Sequence, residues 1–449
     1  MRSFIKYEYF IMTILHGPKV IAIRSLVRLT IGLVVGVAAA TAFPDDGSER
    51  EFSVRVTPTV QRAFQEVLEK TPPGRGPKAA MVDKIYKGQT LYVHVMATGL
   101  TVSPESKAEV DYSITLCKPD GTTSFTQSGL PLVSVQADAD GRVIYKAPGF
   151  LNVKMDPEDP AGEWRIVVEA VDRVGNISAR GEAVITLEES YRSEPLSPDI
   201  DVERWVMSYH LFPRPQQVEA YLRHMAANPP MRNGKPQALE IQGPMLGFFE
   251  QVLAENPWLL PHLIDGFAQA TPAEQTQLAG LLAYAKRDDA EFVSGLPAEL
   301  KKAVKSYRDT RWPVPSAEPL DGAQLDVLWG RFFASGAYQP LRDLVAVLAY
   351  HPYRNAIEEY RQLEKKPKVV PVEVYKNAVF RSAAWSLSSN IQQDTLVRDY
   401  CEGMLLREEL PRDLRMWLLG TLKASLEKHD PAKGPLADRD SGKGKPQLY

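Results

Sequence analysis

From about Glu51 to Glu189 apolar residues recur at every second position in short runs separated by turn residues. Trp164, Ile166, Val168 and Ala170 fall on one face of such a run, and Arg165 and Glu169 on the other. A period of two is that of a strand buried on one side. Tyr112, Ile114 and Leu116 repeat it, and Pro119, Asp120 and Gly121 end it with the residues a tight turn requires. Further strands are predicted over 52–56, 90–96, 142–145 and 183–187. About seven strands in this span predict an immunoglobulin-like sandwich. One inserted helix is expected over 60–68, with Val60, Phe64, Val67 and Leu68 as its apolar positions and Pro72, Pro73, Gly74 and Gly76 as its stop.

From about Ser197 the period changes to that of a helix. Val218, Tyr221, Leu222 and Met225 make one stripe, and Met245, Phe248, Phe249, Val252 and Leu253 a second. Leu278, Leu281, Leu282 and Ala285 follow, then Leu325, Leu328, Trp329, Phe332 and Phe333, then Leu341, Leu344, Val345 and Leu348, and last Leu414, Trp417 and Leu418. Each stripe needs a facing helix. Prolines 213, 215, 244, 257, 261, 272, 340, 352, 371 and 411 fall between these helices or at their starts, where a missing N–H does least harm. The pattern predicts an all-α array, a short solenoid or a bundle, without a regular repeat signature. The segment from Val374 to Asn390 carries Ala378, Ser382, Ala383, Ala384, Ser386, Ser388 and Ser389 around Phe380, Trp385 and Leu387. Such small side chains predict a central, closely approached helix with Asn390 as a left-handed cap. Ala384→Leu is expected to overpack it by about 1–3 kcal/mol.

The first residues carry a different signal. Arg2, Lys6, Lys19, Arg24 and Arg28 precede an uncharged run from Leu29 to Phe43 that ends in Ala38, Ala39, Ala40, Thr41 and Ala42. This is the pattern of a secretory signal peptide cleaved after Ala42, and the run is shorter than the roughly 20 residues a transmembrane helix needs. The apolar stretch from Phe4 to Leu15 leaves an uncleaved N-terminal anchor as the alternative, and Met12 as an alternative start. The predicted organisation is a signal peptide over 1–42, an immunoglobulin-like domain over 43–190, a linker over 191–200, a helical domain over 201–427 and a disordered tail over 428–449. The expected location is extracytoplasmic, periplasmic in a Gram-negative cell and secreted otherwise, with no membrane span after cleavage.

Of 449 residues, 53 are basic and 56 acidic. Removing residues 1–42 takes away five basic side chains and one acidic one, so the mature chain has a formal charge of −7. That balance argues against nucleic acid, whose phosphates demand a basic face. The basic runs Lys301, Lys302, Lys305, Arg308 and Lys365, Lys366, Lys368 read as solvated faces and loops. Cys117 and Cys401 are the two cysteines and could pair in an oxidising compartment, tying the two halves of the chain together; against this, the helical spacing of Val397, Cys401 and Met404 is that of a small core residue at Cys401.

The run Asp159-Pro160-Ala161-Gly162-Glu163-Trp164 through Asp172, followed by Gly175-Asn176, and the earlier Lys118-Pro119-Asp120-Gly121, resemble the hairpins of bacterial extracytoplasmic immunoglobulin-like modules. That resemblance implies a fold and no activity. Trp329-x-x-Phe332-Phe333-Ala334-Ser335-Gly336 with Ala384-Trp385-Ser386-Leu387-x-Ser389-Asn390 resembles an uncharacterised helical family from bacteria. No functional residue carries over from it.

The chemistry-bearing residues give no catalytic constellation. The sequence has no Gly-x-Ser-x-Gly, no His-Glu-x-x-His, no phosphate-binding glycine loop and no cysteine pair with metal spacing. After the signal six histidines remain, none paired with another at helical spacing. Two acidic turns, Asp138-Asp140-Gly141 and Asp156-Glu158-Asp159, lack complete calcium-loop spacing and read as ordinary turns. No catalytic residue, cofactor or metal is assigned. Trp205, Tyr209 and Phe212 share the spacing of one helix face and form the candidate partner-binding cluster, unless that face packs the helices against the strands. The sequence thus predicts an exported, non-enzymatic module that binds an envelope or exported protein. The alternative is an extracytoplasmic hydrolase of peptides or glycans whose carboxylates are paired only in space.

Overall fold

A computed structural model describes residues 51–72, 81–136, 144–197, 200–229, 231–232, 235–236, 243–307, 309–310, 312–314 and 318–427. The leader, the tail, the Asp138-Asp140-Gly141 turn and the glycines expected to stop the first helix lie outside them. A β-rich region of two sheets comes first and a helical array follows; neither sheet closes into a barrel.

Strands β1 (Ser53–Thr59), β3 (Thr90–Thr98), β6 (Tyr145–Lys146) and β7 (Leu151–Lys154) form one sheet, with β1, β6 and β7 all antiparallel to β3. The other has the order β2-β9-β8-β4-β5, from β2 (Lys84–Tyr86), β4 (Lys107–Cys117), β5 (Thr123–Gln136), β8 (Gly162–Asp172) and β9 (Ile177–Glu188). Among the described residues of this sheet only the β2–β9 pair is parallel. The two period-two runs pair with each other: Ile114 lies opposite Val168 and Leu116 opposite Ile166. Trp164, Ile166, Val168 and Ala170 are buried in one core with Leu91, Val93 and Val95 of β3. Of the strand expected over 142–145, residues 142 and 143 lie outside the described residues, and Tyr145 belongs to β6.

Asp172 secures the β8–β9 turn. Its carboxylate is fully buried and accepts N–H groups from Val174 at 2.9 Å, Gly175 at 3.0 Å and Thr101 at 2.7 Å. Asn176 completes the turn with φ 52°, a left-handed conformation that asparagine tolerates. At the earlier hairpin, Asp120 Oδ1 accepts the N–H and the hydroxyl of Thr122. Asp159 Oδ2 accepts the N–H of Asp156 at 2.8 Å, so this acidic turn has ordinary side-chain-to-backbone chemistry.

The helices are α1 (Phe64–Lys70), α2 (Val202–Ser208), α3 (Val218–Ala227), α4 (Gly243–Glu255), α5 (Leu259–Phe267), α6 (Pro272–Ala285), α7 (Ala290–Gly295), α8 (Ala298–Lys305), α9 (Gly322–Ser335), α10 (Tyr338–Ala346), α11 (Ala356–Gln362), α12 (Val372–Gln393), α13 (Thr395–Leu406) and α14 (Arg412–Glu427). A short pairing of Met231–Arg232 with Lys235–Pro236 precedes α4. Starts carry the expected chemistry: Thr271 and Glu274 form a capping box on α6, and Asp321 and Asp394 cap α9 and α13.

Two compact units result. Among the described residues, the first holds those within 51–65, 78–239 and 249–310, and the second those within 66–77, 240–248 and 311–427. In the first unit, Trp258 at the start of α5 stacks on Tyr86 of β2, with ring centroids 5.7 Å apart, and Tyr191 stacks on His262 at 4.4 Å. These rings join strands to helices inside that unit. In the second, α4 and α9 meet at glycines: a Cβ on Gly247 would strike the carbonyl of Val327, and one on Gly330 that of Pro244.

Helix α12 is central to the second unit, with Val379, Ala383 and Leu387 fully buried. Two expectations are corrected here. The helix does not stop at Asn390, because Ile391 continues the buried stripe; Asn390 stays helical and its Nδ2 donates to Ser386 O at 2.9 Å. The cap is Asp394, with extended backbone. Ala384 is partly exposed and Ala383 is the close-packed position, so overpacking belongs to Ala383. Both cysteines are free thiols; Cys401 is buried, and burial pushes it up to about 12.

Candidate partner-binding surface

The structure divides the predicted aromatic cluster. α2 ends at Ser208, and a single 3-10 turn carries the chain through Leu211 to Phe212, whose φ of −143° leaves the helix just before Pro213. Trp205 therefore turns inward: its ring stacks on Tyr221 of α3 at 4.8 Å, and its Nε1 donates to Gln217 Oε1 at 2.9 Å. Tyr209 packs edge-on against Trp205 at 5.2 Å and is buried, which holds its hydroxyl proton far above the ordinary range. Phe212 alone of the three is solvent-facing, with 47% of its surface exposed.

A second apolar surface lies on α14. Leu414, Leu418 and Leu422 form its buried stripe. Phe380 of α12 meets Trp417 at 5.3 Å and Ser425 Oγ donates to Ser388 Oγ at 2.9 Å, so α12 and α14 run side by side in the same direction. Met416, Leu419 and Leu426 lie outside that buried stripe and are 62%, 48% and 43% exposed; Met416 is farthest around the helix, and Leu426, four residues after Leu422, borders the stripe. Trp385, one turn before Ser388, is also 49% exposed. Sequence reasoning on α14 stopped at the core stripe. The signal was present in the same helix as three further large apolar residues outside that stripe.

Polar chemistry in the second unit gathers at Glu409. Lys70 Nζ lies 3.0 Å and Arg407 Nε 2.7 Å from Glu409 Oε1, and the Tyr338 hydroxyl donates to Oε2. Burial raises the Glu409 carboxyl, but the hydrogen bonds from Tyr338, Arg407 and Lys70 outweigh it and hold the group at about 2. Lys70 lies over the Tyr338 ring at 5.0 Å, and the N–H of Tyr338 donates to Glu66 Oε2 at 2.9 Å. Each donor is thus committed to a partner, the arrangement of a structural clasp rather than of a poised acid or base.

In the first unit, an open depression of about 580 Å³ is lined by Glu250, Lys286, Arg287, Asp288, Asp289 and Glu291. Arg287 Nη1 donates to Glu250 Oε1 at 2.8 Å and its guanidinium covers the Tyr284 ring at 4.7 Å, which occupies the strongest groups. The described residues contain no group of three or more side chains arranged to hold a metal ion. Nor is any helix among them long and apolar enough to cross a membrane.

No family model matches the chain, and no curated protein does. Among solved structures, a family 123 glycoside hydrolase from Clostridium perfringens aligns at 8% identity and a TM-score of 0.19, over 31% of this chain and 28% of the hydrolase. Salmonella alpha-2-macroglobulin aligns at 10% identity and a TM-score of 0.18, over 83% of this chain and 26% of the macroglobulin. A sporulation control protein from Bacillus subtilis aligns at 11% identity and a TM-score of 0.16, over 30% of this chain and 49% of that protein. The chain thus spans between about a quarter and a half of the length of these proteins.

Proposed function

We propose that this chain is an exported, non-enzymatic binding module that docks onto another envelope or exported protein. The observation that carries the reading is the exposed flank of α14, where Met416, Leu419 and Leu426 remain open to solvent beside the packed stripe of Leu414, Leu418 and Leu422. An apolar face of that kind on an ordered helix is the usual anchor of a protein interface. The two sheets share one core, which supports reading them as the layers of an immunoglobulin-like sandwich that serves as a spacer or scaffold beside the helical surface. The leader pattern supports export.

Affinity capture with the tagged full chain, alongside Met416→Asp/Leu419→Asp, tests the reading. A partner recovered in near-stoichiometric amount by the parent and lost with the double variant is expected. Recovery unchanged by the variant, or no partner from an envelope extract of the native host, refutes it.

A further inference from the structure

A different surface of the second unit points to a second kind of partner. Between α11 and α12 the chain runs through Leu363-Glu-Lys-Lys-Pro-Lys-Val-Val-Pro371 in irregular conformation. Val369 is 79% exposed, more than any other large apolar side chain among the described residues, and Leu363 and Val372 flank it, each nearly half exposed. Lys365, Lys366 and Lys368 surround these aliphatic groups and are themselves exposed, while Lys376 follows on the first turns of α12.

None of the four lysines forms an ion pair among the described residues. Lys366 lies over the Tyr360 ring at 5.6 Å, and Lys376 over Tyr350 at 4.9 Å and Tyr353 at 5.3 Å. Elsewhere in this unit basic side chains find carboxylates, as Lys70 and Arg407 do at Glu409 and Arg381 at Glu358. Four lysines against two carboxylates, Glu364 and Glu373, leave the 363–376 segment with a formal charge of +2 beside protruding aliphatic groups, in a chain with more acidic than basic residues. Pro367 and Pro371 restrict the loop, and the buried Val374 anchors its far end, so little ordering is left for binding to supply.

We infer that the 363–376 segment docks onto an anionic lipid surface, with Val369, Leu363 and Val372 entering the headgroup region and the lysines facing lipid phosphates. Charge complementarity selects an anionic partner. The aliphatic groups project from a loop instead of lining a groove, so they fit a soft interface that needs no matching shape better than they fit an acidic peptide. The contact is peripheral and requires no spanning helix. It goes beyond the protein-binding reading and does not depend on the α14 face.

The test places the reporter at the loop itself. In the full chain carrying Cys117→Ser, Val369→Cys is labelled with an environment-sensitive fluorophore; Cys401 is buried and stays unlabelled. Vesicles of equal phosphatidylglycerol and phosphatidylcholine should shift the emission to the blue, and vesicles of phosphatidylcholine alone should not. Raising salt from 50 to 500 mM should weaken binding at least tenfold. Lys365→Gln/Lys366→Gln/Lys368→Gln should weaken it on the order of 100-fold, and Val369→Ser, read by vesicle co-sedimentation of unlabelled protein, about tenfold. Met416→Asp/Leu419→Asp should leave vesicle binding unchanged, which separates this outcome from that of the protein-binding reading. The inference is overturned by no shift on anionic vesicles, by an equal shift on neutral ones, or by a shift indifferent to the lysine substitutions. Polyglutamate producing the same shift reassigns the surface to an acidic protein and equally overturns the lipid assignment.

Discussion

His94 offers a quantitative test of how the first unit is built. It lies on β3 directly opposite Thr57 of β1, is 1% exposed, and has no hydrogen-bond partner at either ring nitrogen among the described residues. Phe64 meets its ring edge-on at 4.8 Å, and Phe150 packs against it at a tilt of 38° with centroids 5.1 Å apart. Burial, with repulsion from Lys146 as the smaller cause, lowers its pKa from 6.5 to about 4. The sign follows directly. Below pH 6.5 the unfolded chain takes up a proton that the folded chain refuses until about pH 4, so stability falls as pH drops through this window. At about 1.4 kcal/mol per unit, the loss is about 2 kcal/mol at pH 5 and about 3 kcal/mol at pH 4, and is complete below that. His94→Leu removes the titration while keeping the site apolar. Urea unfolding of both proteins at pH 7.5, 6, 5 and 4.5 isolates the effect, because carboxylates common to both cancel in the difference. The variant should gain about 2 kcal/mol on the parent between pH 7.5 and 5. Parallel pH profiles, or an imidazole proton resonance of His94 titrating near 6.5, would refute the argument.

Glu255 should behave in the opposite sense. Burial raises it from 4.5 to about 7, against the hydrogen bond from Gln251, so its contribution is present below pH 4.5 and lost as pH rises through 7. Glu255→Gln should stabilise the protein at pH 8 and have little effect at pH 5, as read by denaturant midpoints. Asp172→Ala leaves three N–H groups without their acceptor and should cost about 3 kcal/mol, whereas Asp172→Asn, which keeps one acceptor oxygen, should cost less; equal midpoints for the two would contradict the role given to the carboxylate. Ala383→Leu should lower stability by about 1–3 kcal/mol and Ala384→Leu by clearly less, an order that melting temperatures will show. Glu409→Gln should loosen the clasp around Tyr338 by about 1–2 kcal/mol. Its parent contribution should fade as pH drops from 4.5 toward 2, measurable as a shrinking difference between variant and parent.

Much of the architecture was legible because burial and period coincide. Trp164 to Ala170 and the stripes of α3, α4 and α9 each put one apolar face into a core, and the pattern shows this without any tertiary knowledge. β5 escaped because its first eight residues, Thr123 to Leu130, are almost wholly exposed and polar, and Gly129 and Pro131 interrupt it. Over those residues the ladder offered by β4 is what makes it a strand, and only farther on do Leu132 and Val133 enter the core. Beyond Asn390, the next apolar residue outweighed a plausible cap. For the surfaces the limit was different. Spacing placed Trp205, Tyr209 and Phe212 on one face, yet the helix ended before Phe212 and sent the first two rings inward. Met416, Leu419 and Val369 looked like unremarkable apolar residues in a chain that has many. What singles them out is exposure, a property of the assembled unit and not of any local pattern.

The clasp at Glu409 also bears on the order in which the chain can mature. Lys70 and its partner at 409 are 339 positions apart, and Arg407 Nη2 donates to the carbonyl of Lys70 at 2.7 Å. During synthesis or translocation, α1 therefore emerges long before the helices that receive its last turn. Tyr338, whose ring Lys70 covers, appears first, and the clasp is complete only once Arg407 and Glu409 have followed. Contacts this distant in sequence slow folding and prolong the exposure of apolar surface, so a holding chaperone is expected to matter more for this protein than for one whose units are contiguous. The same wiring warns against dissection by sequence: a fragment cut at residue 200, where strands give way to helices, would leave each piece without segments that the other encodes.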